Sequence, residues 1–314
     1  MNSADLAVFA TLAGSVLLLW KGADWLVTSA SRIAQRLGVS DLVIGMTVVA
    51  LGTSAPEAAV TLQAAWEGHA SLAIGNVIGS NIFNLGLILG LCAVIWPMPT
   101  RRRQIYRSVF ALIFAAALIA VLIIDGALTW RDALCVLALL GAYFIYVLTQ
   151  DPEEADRLDD LPSESTAWGD SAKLVIGLGA ILLGSTWLID SATRIANSAG
   201  ISDFLIGITI VAAGTSLPEL VTSLLAGVRG RFEMMVGSLI GSDLLNFGVL
   251  CVAAILNPLE VDAAARPALG VMVASLLLLV VLMRTGWRLS RVEGALIAAI
   301  ALLRWGYLLV PGAS

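Results

Sequence analysis

The sequence predicts an all-α integral membrane protein: ten transmembrane helices in two inverted five-helix repeats around a central ion site. Three observations predict it. The composition is too apolar for a water-facing surface, ten apolar segments carry their basic residues on one side, and the chain repeats itself at a spacing of 162 residues.

Of 314 residues, 59% are hydrophobic and 13% charged. An ordinary soluble domain carries about 25% charged residues, so a water-soluble fold is excluded for want of polar cover. Runs such as Val109–Ile124 and Leu269–Met283 are apolar on every helical face, which suits lipid rather than an aqueous boundary. Met1–Leu6 lacks a basic start, and no removable signal peptide is expected. The net charge of −5 is local: residues 151–170 hold eight acids and one base, and the remaining 15 acids and 17 bases leave the membrane body slightly positive.

The apolar segments fall at 7–35, 42–67, 71–96, 105–124, 130–149, 172–198, 204–228, 233–256, 266–284 and 290–310. With the N-terminus outside, thirteen Lys and Arg lie at inner ends and loops, four lie at outer ones, and Lys21 sits within the first span. That follows the positive-inside rule. Both termini are then outside and the acidic central loop is cytoplasmic. The domains expected are a first repeat at 1–150, an acidic linker at 151–170 and a second repeat at 171–314.

Sliding the chain by 162 residues aligns Gly22–Leu85 with Gly184–Phe247 without a gap, and 29 of 64 positions are identical. Gly52-Thr53-Ser54-Ala55-Pro56-Glu57 meets Gly214-Thr215-Ser216-Leu217-Pro218-Glu219, and Ile78-Gly79-Ser80 meets Ile240-Gly241-Ser242. Five spans per copy is an odd number, so the second copy enters the membrane from the opposite face. Inverted repeats of this kind place a transport site near mid-membrane where the halves meet.

Glu57 and Glu219 stand about 15 residues into their spans, near the bilayer centre, where an ionised carboxylate needs a polar interior and a partner. Neither span supplies a nearby Lys or Arg, which leaves a transported cation to cancel the charge. Pro56 and Pro218 each remove a backbone N–H and clash with the carbonyl four residues earlier, loosening the backbone at Gly52 and Gly214. Irregular backbone at that depth is tolerated where it lines a cavity or is buried in protein. The hydroxyls of Thr53, Ser54, Thr215 and Ser216 complete an oxygen cluster suited to a hard cation such as calcium; no His or Cys accompanies the motif, as a softer metal would want. In the third and eighth spans Ser80 with Asn84, and Ser242 with Asn246, lie four residues apart on one helix face.

These motifs, Gly52–Glu57, Gly75–Asn84 and their second-half counterparts, resemble the two alpha repeats of the sodium/calcium exchanger branch of the cation/calcium exchanger superfamily. The likeness is to compact prokaryotic members and spans essentially the whole chain. It implies an antiporter that exchanges sodium for calcium alternately, with broken helices 2, 3, 7 and 8. It further implies that Glu57 and Glu219 are the principal calcium ligands, assisted by Thr53 and Thr215. Ser54 and Ser80 would belong to one sodium site and Ser216 and Ser242 to the other. Backbone carbonyls at Ala50 and Ala212 would contribute, and Asn84 and Asn246 would complete the middle. Many members carry Asp at the position of Asn246 and Asn at that of Asp243, so Asp243 either points away from the pocket or adds a ligand.

Two carboxylates are balanced by one calcium or two sodium ions, and a further sodium would make the cycle electrogenic, worth about 2.3 kcal/mol per charge through 100 mV. The alternative is a calcium/proton antiporter using the same glutamates. No His-Glu-x-x-His motif supports an enzyme, and no resident cofactor, nucleic acid or obligate protein partner is expected; the partners are calcium, sodium and the bilayer. The likeness places the chain in a bacterial inner membrane. Lys21 and Asp24 are expected to pair with each other, His69 to sit in a solvated loop, and Cys92, Cys135 and Cys251 to be buried as small hydrophobes.

Overall fold

The computed structural model describes residues 3–99, 103–149, 166–198, 212–261, 265–284 and 288–308. The acidic stretch up to residue 165 and the expected start of the seventh segment at 204–211 lie outside the described residues. The chain runs through α1 (Ser3–Leu37), α2 (Asp41–Thr53), α3 (Ala55–Trp66), α4 (Ala70–Ile95), strand β1 (Met98–Pro99), α5 (Arg103–Leu122), β2 (Ala127–Leu128) and α6 (Trp130–Leu148). It continues through α7 (Ala167–Ser198), α8 (Ala212–Thr215), α9 (Leu217–Val228), α10 (Phe232–Leu256), β3 (Leu259–Glu260), α11 (Ala265–Arg284), β4 (Arg288–Leu289) and α12 (Arg291–Leu308).

The described chain is helical apart from these two-residue strands and its connections. Among the described residues six helices are long and apolar enough to cross a membrane, and α2 with α3 makes a seventh if the bent pair is one span. Leu17, Trp20, Leu51, Phe114, Val121, Ile145, Val175 and Val281 face outward. An apolar shell of that extent marks a lipid-facing surface, and the chain is an integral membrane protein.

Local chemistry explains the breaks. Pro56 falls in the first turn of α3, where its missing N–H costs nothing, and the chain bends by 54° between α2 and α3. Pro218 plays the same part at the start of α9, with Ser216 between α8 and α9. The breaks expected in helices 3 and 8 are absent. The eighth segment, α10, is α-helical throughout its 25 residues, and the third, α4, carries a π-helical turn at Phe83–Ile88. Neither segment contains a proline, so neither loses a backbone donor.

Helix α10 is the centre of the molecule, buried on every face from Met234 to Ala254 except at a few positions. It packs backbone to backbone against α2, because a methyl group at Gly237 or Gly241 would run into the carbonyls of Leu42 and Met46. Small residues admit such close helix approach inside membranes. Outside this core α1 lies along α7, and a Cβ at Gly22 would stand 2.7 Å from the Gly177 carbonyl oxygen.

The connections pair at opposite ends. β1, before α5, pairs antiparallel with β4, before α12. β2, before α6, pairs antiparallel with β3, before α11. Under the 162-residue shift β1 overlaps β3 and β2 overlaps β4 within a residue, so each pairing is the counterpart of the other.

Three local expectations need correcting. Asp24 pairs with Arg229 rather than with Lys21, which is exposed; the tertiary partner outcompetes the helical neighbour. Asp170, placed in the linker by its sequence neighbours, is buried in the first turn of α7 and pairs with Arg36 at 2.8 Å and Arg32 at 3.4 Å. Cys135 is exposed, unlike Cys92 and Cys251, because it lies on the outward face of α6. His69 is exposed, as expected.

Candidate functional site

The two breaks meet in the interior. Glu57 in the first turn of α3 and Glu219 in the first turn of α9 are both 0% exposed. Each carboxylate sits at a helix N-terminus, where the macrodipole favours negative charge. Each also reaches a serine of the other half. Ser216 Oγ donates to Glu57 Oε1 at 2.9 Å, and Ser54 Oγ donates to Glu219 Oε1 at 3.1 Å. Position 54 maps to 216 and 57 to 219 under the shift, so the two bonds are one contact made twice.

The second shared contact involves the helices behind. Asn84 Nδ2 donates to Asp243 Oδ1 at 2.9 Å, and Asn246 Nδ2 donates to Asn81 Oδ1 at 3.0 Å. Positions 84 and 246, and 81 and 243, are again related by 162 residues. Asn84 Nδ2 also reaches Ser242 Oγ at 3.1 Å. Ser242 donates to Glu219 Oε1 at 3.3 Å and stands 2.8 Å from Ser54 Oγ. Glu219, Ser54, Ser242 and Asn84 thus form one connected network, with the Thr53 side chain a further neighbour of Glu219.

The halves are not identical. Ser80, the counterpart of Ser242, is buried on α4 but makes no side-chain hydrogen bond among the described residues. Ala50 is buried, and its carbonyl accepts from Ser54 N–H at 2.9 Å and from Thr53 Oγ1 at 3.4 Å. Thr215 is half-buried in α8, and Ala212 begins that helix. Asn76, absent from the sequence-based set, donates to the Glu57 carbonyl at 3.2 Å and to Thr61 Oγ1 at 2.9 Å. Asn81 was also missed, although the shift that equates it with Asp243 could have found it.

What remains open in this network is all acceptor. Among the described residues, Glu57 Oε2, Glu219 Oε2, Asp243 Oδ2 and Asn84 Oδ1 are buried without a hydrogen-bond partner. A carboxylate oxygen taken out of water without a partner costs several kcal/mol. No Lys or Arg forms an ion pair with either glutamate among the described residues, and Glu57 and Glu219 are near enough to repel each other. Nor, among the described residues, do three or more His, Cys, Asp or Glu cluster tightly enough to hold a metal alone. Two buried carboxylates with flanking hydroxyls and amide oxygens suit a hard cation.

A model of the family described as sodium/calcium exchanger protein matches residues 7–150 and 172–308. Sodium/calcium exchanger MaX1 of Methanosarcina acetivorans is 32% identical over 331 residues, covering 92% of this chain and 95% of the relative. Inner membrane protein YrbG of Escherichia coli (strain K12) is 36% identical over 269 residues, covering 82% of each chain. A solved structure of the sodium-calcium exchanger NCX_Mj, soaked with zero Na+ and Ca2+, superposes with a TM-score of 0.85 at 33% identity and covers 96% of this chain and 99% of that one.

Proposed function

The chain belongs to the sodium/calcium exchanger family, and on that premise we propose that it exchanges sodium for calcium by alternating access at the paired-glutamate site. The observation that carries this reading is the pair of buried glutamates, each bonded to a serine of the opposite half and each keeping one oxygen without a donor. Calcium binds between Glu57 and Glu219, assisted by the hydroxyls of Thr53 and Thr215. Sodium uses the flanking oxygens of Ser54, Ser80, Ser216 and Ser242, with Asn84 and Asn246 in the middle and the carbonyls of Ala50 and Ala212 at the edges. An empty pair of like charges resists crossing the low-dielectric barrier, whereas an ion-loaded pair does not, and that difference couples one ion to the other.

The same reading takes the chain as ten spans in two inverted repeats, 1–150 and 171–314, joined by an acidic cytoplasmic linker. Two observations support it: the site contacts occur twice, and the strand pairs β1–β4 and β2–β3 exchange under the shift. The termini lie outside and the membrane is a bacterial inner one, in keeping with the positive-inside count and with the relative described as an inner membrane protein.

The test is reconstitution into liposomes containing a calcium-sensitive dye. A sodium gradient directed outward drives calcium in, and a proton gradient without sodium does not. Calcium uptake driven by the proton gradient alone would replace sodium by protons as the coupling ion, and calcium entry without any counter-ion would make the protein a channel.

A further inference from the structure

Arg304 is a cation within the membrane body that the ion site does not use. It stands near the end of α12, level with the first turn of α11, where its Nη2 donates to the Ala268 carbonyl at 3.4 Å. Its Nη1 is buried without a hydrogen-bond partner, and Arg304 forms no ion pair among the described residues. One long bond to a helix carbonyl leaves the positive charge unbalanced. An ionisable side chain within a membrane span is costly and normally has a partner, so this guanidinium calls for an anion.

The same residue lines a cleft between α4, α11 and α12. Met272, Leu276 and Leu279 form its wall on α11, Ile297 and Ile300 on α12, and Leu85 on α4, with Asn81 also in the lining. Counted out to its open mouth, the free space is about 500 Å³, but little of it is wide enough for a compact solute. The shape is a slot. Ala268 and Leu279 are eleven residues apart on α11, roughly 16 Å at the helical rise of about 1.5 Å per residue. One leaflet is half of a hydrocarbon core about 30 Å thick, so the slot has the depth of a leaflet. Ile300 in its wall is exposed, which leaves the cleft within reach of the surrounding lipid.

We propose that this cleft holds one acyl chain of an anionic phospholipid, with the lipid phosphate on Arg304. A guanidinium pairs with phosphate through parallel hydrogen bonds, which gives Nη1 an acceptor and the charge a counter-ion. The apolar walls take the chain, at about 0.8 kcal/mol for each buried CH₂. The inner end of the chain rests against Asn81, whose amide is bonded to Asn246 and to the Asp243 carbonyl. A filled cleft thereby keeps water from the back of that contact. A zwitterionic lipid fits the walls equally well but brings its own cation to Arg304, so selectivity resides in the headgroup.

The test uses the full chain reconstituted in phosphatidylcholine vesicles with a minor share of phosphatidylglycerol, then extracted in mild detergent for native mass spectrometry. The wild type retains phosphatidylglycerol several-fold above its share in the vesicles. Arg304→Gln loses that enrichment and Arg304→Lys keeps part of it. Ser275→Trp, which fills the slot and removes only a bond within α11, loses it although Arg304 is intact. Phosphatidylcholine retained as well as phosphatidylglycerol by the wild type, or enrichment unchanged in Arg304→Gln or Ser275→Trp, would overturn the site. A second measurement needs no variant. Phosphatidylglycerol with a photoreactive diazirine in its chain is expected to label α4, α11 or α12 around Leu85, Leu276 and Ile297, and labelling confined to other helices would overturn the assignment.

Discussion

Glu219→Gln perturbs the site with the least change in shape. The amide keeps an oxygen that can accept from Ser54 and Ser242 as Glu219 Oε1 does, so packing and those two bonds survive. What disappears is the charge, and the atom that replaces the partnerless Oε2 becomes a donor that repels a cation. Two unit charges at 4 Å interact by about 4 kcal/mol at an effective dielectric of 20, and each 1.4 kcal/mol is roughly tenfold in affinity. Calcium binding is therefore expected to weaken by at least about a hundredfold, even after allowing for the amide oxygen as a weaker ligand. The assay is calcium titration of detergent-purified protein beside calcium uptake in liposomes. Size-exclusion profile and melting temperature, expected near wild type, show that the fold is intact. A folded Glu219→Gln protein that binds and moves calcium like the wild type would remove Glu219 from the ion site.

Other substitutions separate binding from scaffold. Ser54→Ala deletes a bond to a charged acceptor, the kind worth about 1.5–3 kcal/mol, and leaves Ser242 as the remaining hydroxyl donor on Glu219 Oε1; exchange slows, measured as initial rate against sodium. Gly241→Ala places a methyl against the Met46 carbonyl of α2, and overpacking of this kind costs about 1–3 kcal/mol; the melting temperature falls, and a neutral result would contradict the close approach of α2 and α10. Asp170→Asn removes the carboxylate shared by Arg32 and Arg36. It lowers thermal stability without changing calcium affinity, because the cluster shares no residue with the hydrogen-bond network around the glutamates.

Some of this was legible because the motif is local and duplicated. Pro56 and Glu57 are adjacent, as are Pro218 and Glu219, so a short stretch specifies both the break and the acid at its start. The repeat then implies that what one half does the other does too, and the paired contacts Ser216–Glu57 and Ser54–Glu219 follow that rule. Contacts that depend on how the halves seat against one another left no local trace. The orientation of Asp243 toward Asn84 is such a contact, as is the Asn246–Asn81 bond. Asp24 shows the limit of helical spacing, since its partner Arg229 is 205 residues away. Ser80 shows the limit of the repeat: its sequence matches Ser242, but it makes no side-chain hydrogen bond among the described residues. The π-helical turns at Gly45–Val49 and Phe83–Ile88 have no signature comparable to a proline, and the absence of proline from α4 and α10 was the available sign that those segments would not break.

The position of the ion itself is the most direct test. Crystals of the protein soaked in calcium, followed by anomalous scattering, are expected to show one calcium within about 2.3–2.6 Å of carboxylate oxygens from both Glu57 and Glu219. Raising sodium in the soak should empty that position. Calcium bound elsewhere, or a peak between the glutamates that persists however much sodium is added, would contradict exchange at this site.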